Sequence, residues 1–142
     1  NLTGHKLDIY KLHAGISIPN YDDGRKIEME EGMVFAIEPF CTTGKGMIKE
    51  SGSPIIFRYI RGNTRLASAR KILDLSKNKF HNMPFSKRWI QMNPLILDNA
   101  LSNLYNSGII ECYPPLKEVS DGLVAQQEHT VIVADKPIVT TR

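Results

Sequence analysis

The feature that most constrains this chain is a change of hydrophobic period part-way along it. Up to about residue 53 the apolar residues come in short runs of strand length, each closed by Gly, Pro or Asn/Asp clusters. From Pro54 to about Leu116 they recur at helical spacing, and after residue 117 strand character returns. The pattern predicts an α+β chain of antiparallel strands interrupted by a helical insertion. Its three parts are residues 1–53, 54–117 and 118–142.

In the first part, Tyr10 to Pro19 reads as a strand, and Asn20-Tyr21-Asp22-Asp23-Gly24 as a turn. After the acidic stretch Ile27 to Gly32, Met33 to Phe40 reads as a strand buried on both faces, with Glu38 the one charge inside it. Thr43-Gly44-Lys45-Gly46 closes that run. In the middle part, three helices are predicted: Leu66 to Phe80, Phe85 to Gln91 opened by Pro84, and Pro94 to Ser107 ended by Gly108. Ile109 and Ile110 then begin an extended segment that Pro114-Pro115 interrupts, so the part resembles a small winged-helix unit. Gly122 to Asp135 reads as a strand centred on Thr130 to Val133. Lys136-Pro137 turns it back to a last strand at Ile138 to Thr141.

Composition narrows the classes. No apolar run nears the roughly 18 residues of a membrane helix. Asn1-Leu2-Thr3-Gly4-His5 is not a signal peptide, and it lacks an initiator Met, as a processed chain or a fragment would. Cys41 and Cys112 have no metal-site spacing and read as free thiols of a reducing cytoplasm. Net charge is +3, yet residues 58–88 hold nine Lys/Arg against one acid, Asp74. That window carries +8 and leaves −5 for the remainder. It is either a solvated helical face or a footprint for a phosphate-rich partner.

The chemistry rests on charge in apolar surroundings. Glu38 lies within one apolar run, and Glu128 lies beside another. A buried carboxylate needs a partner, either a cation or a metal. A lone glutamate of this kind is ordinarily an ion pair or an edge position. Here two of them accompany His5 and His13, each beside a glycine or alanine that permits close approach. Imidazole and carboxylates together suit Zn, Mn, Fe or Co. Spacing alone leaves the point open, because His5, Glu38 and Glu128 are distant in sequence. His81 reads as a surface residue, and His129 would face away from Glu128 along a strand.

Six segments occur in order: Asn1 to His5, Leu12-His13-Ala14-Gly15, Phe35 to Phe40, Thr43 to Gly46, Tyr113-Pro114-Pro115-Leu116, and Gln127-Glu128-His129-Thr130. Together they resemble the C-terminal half of the type II methionine aminopeptidases, enzymes of the pita-bread fold that excise the initiator methionine. The resemblance implies two divalent metal ions (Co, Mn, Fe or Zn). It makes His5 and Glu38 terminal ligands of one metal and Glu128 a ligand shared by both. It makes His13 a catalytic histidine that contacts the substrate, and Glu38 the residue that relays a proton. Leu2, Leu12, Phe40, Tyr113 and Leu116 match positions around the methionine side chain. The implied partners are the N-terminal methionine of nascent polypeptides, the ribosome through residues 58–88, and an N-terminal half that supplies two aspartate ligands. None of the aspartates present, Asp8, Asp22, Asp23, Asp74, Asp98, Asp121 and Asp135, matches those positions. The expectation is therefore that the chain does not work alone and that half of such a sheet exposes its edges. Two other readings share the pattern: a pita-bread X-Pro peptidase, and a non-catalytic pita-bread relative that binds RNA or ribosomes.

Overall fold

A computed structural model describes residues 1–141 of the chain. In order, its elements are β1 (Thr3–Leu7), β2 (Ser17–Pro19), β3 (Val34–Ile37), β4 (Phe40–Thr42), β5 (Ile48–Glu50), β6 (Ile56–Tyr59), α1 (Ala67–Asn78), β7 (Phe85–Ser86) and a 3-10 turn at Lys87–Trp89. There follow α2 (Pro94–Asn106), β8 (Ile110–Tyr113), β9 (Leu116–Glu118), β10 (Val124–Gln126), β11 (His129–Ile132) and β12 (Ile138–Val139). The chain separates into two units, residues 1–49 with 116–141, and Glu50–Pro115.

The first unit is built on a five-stranded sheet of order β12-β11-β3-β1-β2. Strand β3 is central, paired antiparallel with β1 on one side and β11 on the other. Its residues suit that place. Successive side chains of a strand face opposite ways, and the neighbours Phe35 and Ala36 are both buried. The close packing of β1 on β3 depends on Gly4. A Cβ there would lie 2.5 Å from the carbonyl oxygen of Ala36.

The expected strand from Met33 to Phe40 is broken at Glu38-Pro39, where β3 ends and β4 begins. Proline has no N–H to donate to a ladder. Past it, β4 changes partner and pairs with β10 instead of β11. The expected strand from Gly122 to Asp135 is broken at the matching level, Gln127-Glu128, between β10 and β11. The Gln127 N–H donates to the Pro39 carbonyl at 3.2 Å and holds the two breaks together. Only Ser17–Pro19 of the expected first strand is extended. Asp8 and Lys11 exchange backbone hydrogen bonds of 3.1 and 2.9 Å around a turn that puts Tyr10 at φ 53.

The second unit holds an apolar core. Ala69, Ile72 and Leu73 of α1 pack with Leu97, Ala100, Leu101 and Leu104 of α2, over Phe57, Phe85 and Ile110 from the sheet β7-β6-β8. The Asn93 side chain caps α2 by accepting from the N–H of Leu95 at 3.0 Å, and Pro94 opens the helix. Gly108, at φ 65, follows its end. Two of the three expected helices form. The one expected at Phe85 to Gln91 does not. Phe85 and Ser86 pair with Phe57 and Ile56 of β6, and burying Phe85 in the core outweighs so short a helix. Among the described residues no helix is long and apolar enough to cross a membrane.

Candidate metal and substrate site

The two coupled breaks create the site. Where β3 passes into β4, and β10 into β11, neither Glu38 nor Glu128 belongs to a ladder. His5 enters from the middle of β1, opposite Ala36 of β3. His5 is 7% exposed, and its Nε2 lies 3.2 Å from Glu38 Oε1. The other ring nitrogen, Nδ1, is buried without a hydrogen-bond partner. The His13 ring sits against His5, with centroids 4.2 Å apart and planes tilted by 55°. Burial, and next the negative charge of Glu128, hold the Glu38 carboxyl above its ordinary range, while His5 pulls it down. Glu38 is partly buried and Glu128 is exposed, so only the first is the sequestered charge that the apolar pattern suggested. The Gln126 amide lies between the two carboxylates.

This donor set suits a divalent cation in kind: one imidazole, two repelling carboxylates and a buried ring nitrogen without a partner. It falls short in number. Among the described residues no three His, Cys, Asp or Glu side chains form a group that could hold a metal ion. His129 takes no part. Its Nδ1 donates to the Thr141 carbonyl oxygen at 2.5 Å.

Of the expected pocket residues, Leu2 and Phe40 line one cavity of about 190 Å³, together with Met47, Ile48 and Val124. Leu12 is half-buried in the loop after β1, outside that lining, and Leu116 is half exposed. Tyr113 belongs to the second unit, on β8. Its hydroxyl donates to the Glu111 carboxylate, which also accepts from Arg58 Nε at 2.5 Å. Burial first, and then that hydrogen bond, push the Tyr113 hydroxyl up to about 12.

Sequence reasoning missed Glu118. It is the acid that is fully buried, at 1% exposure. Its carboxylate accepts from the Lys45 N–H at 2.6 Å, the Ser120 N–H at 2.5 Å, the Ser120 hydroxyl at 2.6 Å and the Gly122 N–H at 3.1 Å. Those bonds, led by the Ser120 hydroxyl, hold its pKa down to about 2. It occupies the space beside Gly44 and lines the cavity that Leu2 and Phe40 share. Glu118 thereby ties the turn after β4 to the turn after β9. The one local sign of it was the glycines, Gly44 and Gly122, which pack too closely for any Cβ.

Comparison with known proteins places the chain in a family. The methionine aminopeptidase of Thermococcus onnurineus (strain NA1) is 50% identical over 137 residues, 94% of this chain and 46% of that protein. That of Methanocaldococcus jannaschii is 38% identical over 144 residues, 100% of this chain and 49% of that protein. Methionine aminopeptidase 2-2 of Aspergillus niger is 36% identical over 140 residues, 94% of this chain and 32% of that protein. The chain thus spans about half the length of the first curated relatives it matches. The solved structure of a thermophilic Arx1 superposes with a TM-score of 0.74 at 20% identity, over 92% of this chain and 36% of that one, which carries the pita-bread fold. The model of metallopeptidase family M24 matches residues 1–135. With its His5–Glu38 pair set where two strand breaks coincide, the chain belongs to metallopeptidase family M24.

Proposed function

We propose that this chain forms part of a methionine aminopeptidase, acting in the cytoplasm on the N-terminal methionine of nascent polypeptides. The observation that carries the reading is the meeting of His5 and Glu38 at 3.2 Å beside Glu128, in a family whose similar members are named methionine aminopeptidases. His5 and Glu38 would hold one divalent cation, and Glu128 would be shared with a second. Further ligands would be aspartates from an N-terminal half of the enzyme. A bound divalent cation supplies Lewis acidity and can lower the pKa of its water to about 7.

The chain's own residues do the rest. Glu38 accepts a proton from the attacking water and passes it to the leaving amine. His13, beside His5, donates a hydrogen bond to the scissile peptide as charge develops. Leu2 and Phe40 offer an apolar cavity to an unbranched side chain. Leu12 and Leu116 would complete the wall.

The test is hydrolysis of Met-Ala and Xaa-Pro peptides by the full-length protein in Co²⁺, Mn²⁺, Fe²⁺ and Zn²⁺. Release of methionine from Met-Ala alone is expected. Cleavage of the Xaa-Pro peptide alone would replace the reading with an X-Pro peptidase. Glu38→Gln should lower kcat by roughly 100-fold or more, the size of a lost general base, with little change in melting temperature. Full activity in that variant would remove the proton-relay role.

We read the Glu50–Pro115 unit as an insertion that contacts the ribosome. Arg61, Arg65, Arg70, Lys71, Lys79 and Arg88 are exposed, whereas Arg58 and Lys87 are paired with Glu111 and Asp98. Binding to purified ribosomes should weaken steeply as salt rises. Salt-independent binding would count against an electrostatic contact.

A further inference from the structure

The proposed mechanism leaves Gln126 without a task, yet its side chain stands between the two carboxylates of the site. Gln126 is the last residue of β10 and pairs with Phe40 of β4. That register sets it opposite the break that carries Glu38 and two residues before Glu128. Its Nε2 donates to Glu38 Oε2 at 3.2 Å and reaches Glu128 Oε2 at 3.5 Å. The backbone beside it is fixed by the 3.2 Å bond from the Gln127 N–H to the Pro39 carbonyl.

Two carboxylates that share one amide face each other and repel. Something must hold them together until a cation arrives. A lysine would do so by neutralising them, and would then compete with the cation for the same oxygens. A glutamate would add a third negative charge. A primary amide has two N–H donors and no net charge. It can bind one oxygen of each carboxylate while leaving their combined charge intact. Each carboxylate keeps its other oxygen, and Glu38 Oε1 is the one turned to His5.

We propose that Gln126 is a positioning residue, whose shared amide presets Glu38 and Glu128 for a divalent cation. The inference rests on the reading of this site as a metal site. The amide acts through the two glutamates it holds.

The test uses the full-length protein and two variants, Gln126→Met, which keeps length and removes both donors, and Gln126→Ala. Because Gln126 is exposed, neither variant should change the melting temperature of the metal-free protein. Calorimetric titration with Mn²⁺ should show affinity weakened by about 10- to 100-fold, the range for partners that orient metal ligands. With saturating Mn²⁺, kcat for a Met-Ala peptide should recover toward wild type while KM stays unchanged. Wild-type Mn²⁺ affinity in both variants would overturn the role of Gln126 and leave the metal site standing. A wild-type protein that binds no Mn²⁺ in the same titration would overturn the metal site, and Gln126's role with it.

Discussion

Replacing Gly4 by alanine should damage stability and the site together, because one atom is inserted where β1 crosses β3. The new Cβ would lie 2.5 Å from the Ala36 carbonyl oxygen and 3.2 Å from the Glu38 N–H nitrogen. Both neighbours are backbone, so no side chain can swing away. Restoring an ordinary contact of 3.4 Å to the oxygen requires a separation of about 0.9 Å between the strands. That movement stretches the ladder pairing His5, Lys6 and Leu7 with Ala36, Phe35 and Val34. Overpacking of this kind costs about 1–3 kcal/mol. For a chain of this size that is a fall in melting temperature of about 4–12 °C. The same displacement carries His5 away from Glu38, whose contact of 3.2 Å sits one residue from the clash. Thermal denaturation would measure the first effect. Mn²⁺ titration of the folded variant at a temperature well below its transition would measure the second, with weaker binding expected. A Gly4→Ala protein that melts within 1 °C of wild type and binds Mn²⁺ equally would refute the argument that close strand approach fixes His5.

Glu118→Gln tests the buried carboxylate through pH. The folded pKa of about 2 is below the ordinary 4.5, so Glu118 contributes stability that is complete above pH 4.5 and lost as pH falls toward 2. Urea denaturation should show wild type ahead of the variant at pH 6, with the gap closing between pH 4.5 and 2; a constant gap would mean the charge is not what the four donors hold. Leu104→Ala empties a fully buried position on α2 and should cost about 2–5 kcal/mol. Hydrogen exchange should quicken in the amides of α1 and α2, and protection equal to wild type would show that the helices do not share one core.

How much of this was legible in the sequence depended on the range of each signal. α2 could be read because its apolar stripe, its Pro94 start and its Gly108 end all lie within one segment. Phe85 could not be placed, because its partner Phe57 lies across a helix in the sequence and periodicity is blind to such pairing. Glu38 was recognisable as a charge in an apolar run, but the run was read as one strand. The proline that ends the ladder stood in plain view at position 39. Glu118 was illegible for the opposite reason. Every group that stabilises it is a backbone or hydroxyl donor in a turn, and no hydrophobic pattern records those.

The strand breaks explain why a site arises here at all. An unbroken β3 would continue its pairing with β11, and alternate side chains would carry Glu38 either into the sheet's packed face or out to solvent. Pro39 stops that pairing after Ile37↔His129, and pairing resumes with Phe40↔Gln126. Between those two registers lie Glu38 and Pro39 on one chain and Gln127 and Glu128 on the other, four residues released from both ladders but pinned by one backbone bond. A glutamate in a ladder has its direction set by the pleat. A glutamate in this gap can turn toward a neighbour, and here Glu38 turns to His5 and shares Gln126 with Glu128. The sheet thus provides rigidity up to the edge of the gap and freedom within it, the combination that the proposed metal site requires.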